Sequence, residues 1–156
     1  MSIFKSKEFI GILLFFNFFF YFTFTTNLFT STIFEEVKRG NKVILIRHAL
    51  APGGGDPKGF KIENCETQRN LNKTGIEQSK KIGKMFKDNK IPIDVVLSSE
   101  WCRCKDTAYY AFKEFKKFSA LNSTFSHPYN KNEPRQIKEI KKYLKNWEGK
   151  GKNLIL

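Results

Sequence analysis

The chain has 156 residues, with 28 basic and 15 acidic side chains and a formal net charge of +13 at pH 7. That length fits one domain and excludes an array of them. Twenty-six of the basic and fourteen of the acidic residues follow Phe34, an excess that favours anionic partners without choosing among phosphate esters, acidic lipid surfaces and nucleic acid.

The opening stretch differs from the rest. Phe9 to Phe24 runs FIGILLFFNFFFYFTF behind Lys5 and Lys7, interrupted only by Asn17 and Thr23. A basic start, an apolar run and a polar follow-on make the pattern of a secretory signal. Extension to Phe29 supplies the length of about 20 residues that a transmembrane helix needs. No clear Ala-x-Ala site follows, so cleaved signal and retained anchor both stay open. Residues 1–34 are expected to be signal peptide or membrane anchor, and residues 35–156 the folded domain. The protein is then exported, either periplasmic or membrane-anchored. Of Cys65, Cys102 and Cys104, the last two are too close to pair with each other, so export implies a disulfide from Cys65 to one of them. No fourth ligand accompanies the three sulfurs, and no metal is expected.

Beyond a polar linker, Lys42–Ile46 is apolar throughout, as a central parallel strand covered on both faces reads. It stops at Arg47-His48, and Ala51–Pro57 can only be loop. A helix begins near Thr74, where Thr74-Gly75-Ile76-Glu77 has the capping-box form. Ile76, Ser79, Ile82, Gly83 and Phe86 give it one buried stripe, and it ends at Asp88-Asn89. Asp94–Leu97 is a second buried strand, followed by Ser98-Ser99 and a helix with Trp101, Cys104, Ala108, Phe112 and Phe115 on one face. Residues 118–132 are loop with a short strand at their start. Pro134 opens a third helix, with Ile137, Ile140, Leu144 and Trp147 as its apolar face. Asn153–Leu156 reads as the opening of another buried strand. The order predicts an α/β three-layer sandwich with a mostly parallel central sheet, incomplete at the C-terminus.

Chemistry converges at one end of that sheet. Arg47-His48 follows the first strand and Ser98-Ser99 the second, and ligands of open parallel sheets bind at the carboxyl ends of strands. Arg103 lies one turn into the next helix, whose side chains lean back towards its N-terminus. Two arginines, a histidine and a helix N-terminus around one volume suit a phosphate dianion.

Ile44-Leu45-Ile46-Arg47-His48-Ala49 resembles the Arg-His-Gly motif of the histidine phosphatases of the phosphoglycerate-mutase-like superfamily, with Ala49 in place of glycine. Asn70-Leu71-Asn72-Lys73-Thr74-Gly75 is similar to their Leu-Thr-x-x-Gly element, and Gln78-Ser79 stands where Gln-Ala follows it. Val96-Leu97-Ser98-Ser99 through Arg103 to Thr107-Ala108 resembles their Ser-Ser-x-x-x-Arg-x-x-x-Thr-Ala stretch. The three occur in the family's order over residues 42–108. The resemblance implies a phosphatase that hydrolyses a phosphomonoester without metal or other cofactor. His48 would be the nucleophile that carries the phosphoryl group, and Arg47 and Arg103 would bind the phosphate.

Two departures accompany it. The family's second histidine follows a late apolar strand, and here it is expected beyond Leu156; His127 matches no motif. The family's glutamate proton donor corresponds to Leu121-Asn122-Ser123-Thr124, which holds no carboxylate, leaving Glu133 or Asp56 to approach from a loop. Without such a donor, only substrates with good leaving groups suit the site. Gly53-Gly54-Gly55 fits neither a dinucleotide fingerprint nor a P-loop; it is either a rim of the substrate mouth or a surface loop. The expected partner is a phosphorylated small molecule or surface glycan or lipid, with membrane association through the N-terminal segment. Nucleic acid is not expected, since no interleaved aromatic and basic face is present. The alternative is a non-catalytic or truncated relative that binds an anion without turnover.

Overall fold

The computed structural model describes residues 33–125 and 127–156. Val37–Leu156 forms one compact unit. The Phe9–Phe24 segment, and with it the expected leader, lies outside the described residues. Among those that are described, no helix is long and apolar enough to cross a membrane.

Four strands, β1 (Val43–Ile44), β2 (Ile93–Ser98), β3 (Lys116–Lys117) and β4 (Asn153–Ile155), make an all-parallel sheet in the order β1-β4-β2-β3. Parallel neighbours need crossover connections. Helices α1 (Lys73–Asp88), α2 (Cys102–Phe112) and α3 (Glu133–Asn146) supply them, one between each successive pair of strands. The architecture is the α/β class that the alternation of elements predicts.

The centre of the sheet is β4, where Asn153 and Leu154 are wholly buried and Ile155 nearly so. It pairs with β1 on one side and β2 on the other. The expectation that Lys42–Ile46 is covered on both faces therefore fails. β1 lies at an edge of the sheet, with Val43 41% and Leu45 76% exposed. An apolar run fixes strand character but not the number of neighbours, and β4 takes the place between two partners. The β1–β4 ladder continues beyond the strands, since the Ile46 amide donates to the Leu156 carbonyl at 2.8 Å. That pairing carries the chain straight to Arg47-His48.

Asn153 earns its buried place through its amide. It donates to the carbonyls of Val37 (2.7 Å) and Pro92 (2.9 Å) and accepts from the Lys42 amide (3.1 Å). One side chain thus ties the starts of β1 and β2 to β4, and every polar atom of it is satisfied.

The N-cap of α1 lies two residues earlier than the capping-box reading puts it. Asn72 is the N-cap and its side chain accepts from the Gly75 amide at 2.8 Å, which leaves Thr74 inside the helix. Asparagine caps at least as well as threonine, so the nearer cap wins. α1 meets α2 at Gly83, where a Cβ would fall 2.0 Å from the Ala111 carbonyl oxygen. In α3 the predicted apolar face is rotated. Ile137 is 43% exposed, whereas Gln136 is 3% exposed and donates to the Ser119 and Asn122 carbonyls at 3.0 and 3.1 Å. Those carbonyls belong to a short 3-10 turn, Ser119–Leu121, which needs a donor that isoleucine does not have. Cys65 is joined to Cys102, and Cys104 remains a free thiol.

Candidate active site

A cavity of about 500 Å³ opens at the carboxyl end of the sheet, with His48, Arg47, Arg69, Arg103, Asp56 and Ser99 among its lining. A larger hollow of about 610 Å³ lies between α3 and Trp147 and is lined by no histidine or arginine. Chemistry selects the smaller one.

His48 follows β1, and its ring is fixed by its own backbone. Nδ1 lies 2.7 Å from the Ala49 carbonyl oxygen. A carbonyl only accepts, so Nδ1 carries the proton and Nε2 keeps its lone pair. Burial holds the imidazole below its usual pKa of 6.5. The Ala49 carbonyl works the other way, and the charges of Arg103, Arg69 and Arg47 add to the lowering. A neutral, singly oriented imidazole results.

The segment after His48 is held by the other two sequence stretches. The Ala49 amide donates to Thr107 Oγ1 (3.0 Å), whose hydroxyl donates in turn to the Arg103 carbonyl (2.7 Å). The Leu50 amide donates to Gln78 Oε1 (2.9 Å), and the Asn72 amide donates to the Leu50 carbonyl (3.3 Å). Gly75 sits so close that a Cβ would fall 2.2 Å from that carbonyl oxygen. Thr107, Gln78 and Gly75 each touch the segment that follows the histidine.

Arg103 points to the cavity from the first turn of α2, and its side chain is only 8% exposed. Its Nη1 donates to Asp56 Oδ1 at 2.8 Å, and its guanidinium lies 6.0 Å from the centre of the Trp101 ring. Arg69 donates from Nη1 to the Ala51 carbonyl. In both arginines Nε is buried and has no protein acceptor. Arg47 is exposed at the mouth. All three guanidiniums raise the potential at one small volume, which is the complement of an anion with several oxygens.

Asp56 is the only carboxylate among the described residues that line the cavity. Burial opposes its ionisation. The Arg69 amide (3.0 Å), the Trp101 indole N–H (2.9 Å) and Arg103 outweigh that effect and hold the carboxyl below its ordinary 3.8. An ionised group that already accepts three N–H bonds does not serve as proton donor, which corrects the expectation that Asp56 approaches in that role. Glu133 is not among the lining residues. In the stretch read as the donor's place, Asn122 accepts from the Ser99 hydroxyl and the Glu100 amide (3.1 and 2.8 Å). Cys104 lines the cavity too, but burial pushes its thiol up, away from the nucleophilic thiolate. His127 is exposed and does not line the cavity. Gly54 and Gly55 do, so the glycine run forms part of the rim.

The structure thus brings together His48, Arg47 and Arg103, as the sequence predicts, and adds Arg69 and Asp56. No periodic pattern marks either addition. The available signal for Arg69 was its place directly before Asn70-Leu71. Among the described residues no three His, Cys, Asp or Glu side chains gather as metal ligands do.

The model of the histidine phosphatase superfamily (branch 1) matches residues 43–151. The chain belongs to this superfamily. No curated protein matches it. Among solved structures, this histidine phosphatase relative is similar to SixA from Agrobacterium tumefaciens, assigned as a phosphohistidine phosphatase, at 19% identity and a TM-score of 0.47. A second is the protein histidine phosphatase SixA complexed with tungstate, at 16% identity and a TM-score of 0.46. The matches cover 73% and 72% of this chain and 66% and 67% of the others, so the chain spans about two thirds of their length.

Proposed function

We propose that the chain is a phosphatase that hydrolyses a phosphomonoester through a phosphohistidine on His48. The observation that carries this is the fixed imidazole, with Nδ1–H on the Ala49 carbonyl, at the lining of a cavity that it shares with Arg47, Arg69 and Arg103. In the first step the Nε2 lone pair bonds to phosphorus as the ester P–O bond breaks, and its electrons leave on the alcohol oxygen. Water then attacks phosphorus, the P–N bond breaks and orthophosphate departs. The arginines hold the equatorial oxygens in both steps, where positioning and charge complementarity do most of the work.

Among the described residues, no free carboxylic acid lines the cavity to protonate the leaving oxygen. The site therefore suits esters whose alcohol is itself acidic, such as aryl phosphates. Phe60, Trp101 and Phe125 line the same cavity and offer such a group an apolar wall. Turnover of p-nitrophenyl phosphate by the full chain, beside His48→Ala, tests the reading. Histidine-dependent hydrolysis is expected, with an alkyl phosphate slower by about 10²-fold or more, the usual reach of acid assistance. No turnover in either protein, with both folded by circular dichroism, would favour the alternative of an anion-binding relative without turnover.

The protein is read as exported, periplasmic or membrane-anchored, on the strength of the Phe9–Phe24 segment and a disulfide, which persists in oxidising compartments. A phosphorylated small molecule or surface glycan or lipid fits that setting and the basic surface. Protease treatment of cells whose outer envelope has been permeabilised distinguishes it: survival of the chain until the inner membrane is broken would place it inside.

A further inference from the structure

We infer that Asp56 is a positioning residue, which holds Arg103 and the turn bearing Arg69 at the anion cavity so that phosphate binding depends on its carboxylate. The inference rests on the reading of that cavity as a phosphate site and adds a residue that the family motifs over residues 42–108 do not contain.

The geometry is that of a hub. Oδ1 accepts from Arg103 Nη1 at 2.8 Å and from the Arg69 amide at 3.0 Å, and Oδ2 accepts from Trp101 Nε1 at 2.9 Å. The carboxylate is 9% exposed and its guanidinium partner 8%. Three separate pieces of chain, the glycine-run loop, the turn before α1 and the start of α2, meet on one side chain. Arg103 Nη1 also lies 3.5 Å from the Arg69 carbonyl oxygen. Two of the three arginines that line the cavity, Arg69 and Arg103, are thereby indexed to the same group.

A guanidinium presents five N–H donors in a rigid fork. Asp56 takes the Nη1 side of Arg103, and the buried Nε–H has no protein acceptor. Fixing one side of a planar group sets the direction of the other. A buried ion pair of this kind adds little net stability after desolvation, so its value lies in where it puts the charge. The count of charge agrees. Three guanidiniums less one carboxylate leave two positive charges around the cavity, the complement of a phosphate dianion. Without Asp56 the three cations of an empty site face one another with no counter-charge.

Two other accounts of Asp56 make opposite predictions. If it acted only through the field, its removal would leave the cavity more positive and orthophosphate would bind more tightly. If it only pinned the loop, its removal would weaken binding whether or not Arg103 were present. Positioning through Arg103 predicts weaker binding that vanishes once Arg103 is gone.

The experiment is a double-mutant cycle on the full chain, with orthophosphate binding read by titration calorimetry and p-nitrophenyl phosphate turnover in parallel. The proteins are wild type, Asp56→Asn, Arg103→Gln and the pair. Asp56→Asn is expected to weaken orthophosphate about tenfold in the wild-type background and less than about twofold beside Arg103→Gln, the coupling that contacting residues show. Unchanged or tighter binding by Asp56→Asn overturns the inference, as does an equal loss in both backgrounds. Should Asp56→Asn fail to fold, the same cycle with Asp56→Glu, which keeps the charge and shifts it by one methylene, reads in the same way. Binding without His48-dependent turnover removes the phosphatase reading and leaves the inference standing. Absence of orthophosphate binding by the wild type removes the anion site and the role of Asp56 with it.

Discussion

In the proposed mechanism His48 would react through Nε2, because the Ala49 carbonyl claims the proton of Nδ1. Its pKa lies under 6.5, through burial first and the three arginines after it. If the neutral ring is the nucleophile, as proposed, activity is full above that lowered value and falls as the pH drops through it. The acid limb of kcat/KM, corrected for ionisation of the substrate, is expected to have its midpoint below 6.5; a midpoint above 6.5 would mean that a different group sets the limb. Asp56 has the opposite bearing on stability. Its folded pKa is depressed below 3.8, so its contribution is complete above 3.8 and is lost as the pH falls through the lower, folded value. Arg103 gives a third expectation at this scale. Lysine keeps the charge but not the fork that serves Asp56 and an anion together, so Arg103→Lys is expected to lower kcat/KM by about 10²-fold. Steady-state kinetics on p-nitrophenyl phosphate decide it, and a variant within twofold of wild type would show that charge alone suffices.

At the scale of elements, the site depends on how α1 is docked. Its first turn is capped by Asn72 and lies against the chain just after His48, with Gly75 beneath the Leu50 carbonyl and Gln78 on the Leu50 amide. Gly75→Ala would put a methyl 2.2 Å from that carbonyl oxygen. Neither the helix backbone nor the loop yields cheaply, and overpacking of this sort costs about 1–3 kcal/mol. The variant is expected to unfold at lower denaturant and to lose turnover beyond what the fraction folded explains, because the displaced loop carries His48, the proposed nucleophile. Urea titration and kinetics on one sample separate the two losses. The glycine of the motif is thus explained by contact rather than by backbone dihedral, since no positive φ is found at Gly75.

For the whole molecule, the disulfide links the two halves of the site. Cys65 lies in the loop that leads to Arg69, and Cys102 directly precedes Arg103 at the start of α2, 37 residues later. Cys102 is fully buried and Cys65 exposed. Cys65→Ser is expected to cost about 2–4 kcal/mol, the usual range for a native crosslink. Urea unfolding of wild type with and without reductant measures the same quantity. A reductant-induced shift in wild type that is absent from Cys65→Ser ties the stability to the bond; equal curves throughout would show that the loop is held instead by Asp56 and by Gln68, which accepts from the Cys102 amide at 3.0 Å.

The sequence by itself determined the class of the fold, the order of its elements, and three of the residues that meet at the candidate cavity, His48, Arg47 and Arg103. Those features are legible because they are local. Apolar runs and helical spacing record which residues leave water, and a motif records residues that touch across one short turn. Tertiary structure alone decided that β4, not β1, is the central strand, that Gln136 rather than Ile137 faces inwards, and which cysteine pairs with Cys65. It also placed Arg69 and Asp56. Each of these is settled by a partner more than a dozen residues away in the chain, mostly through contacts of loops that have no period to read, and such contacts exist only once the strands have set the distances between them.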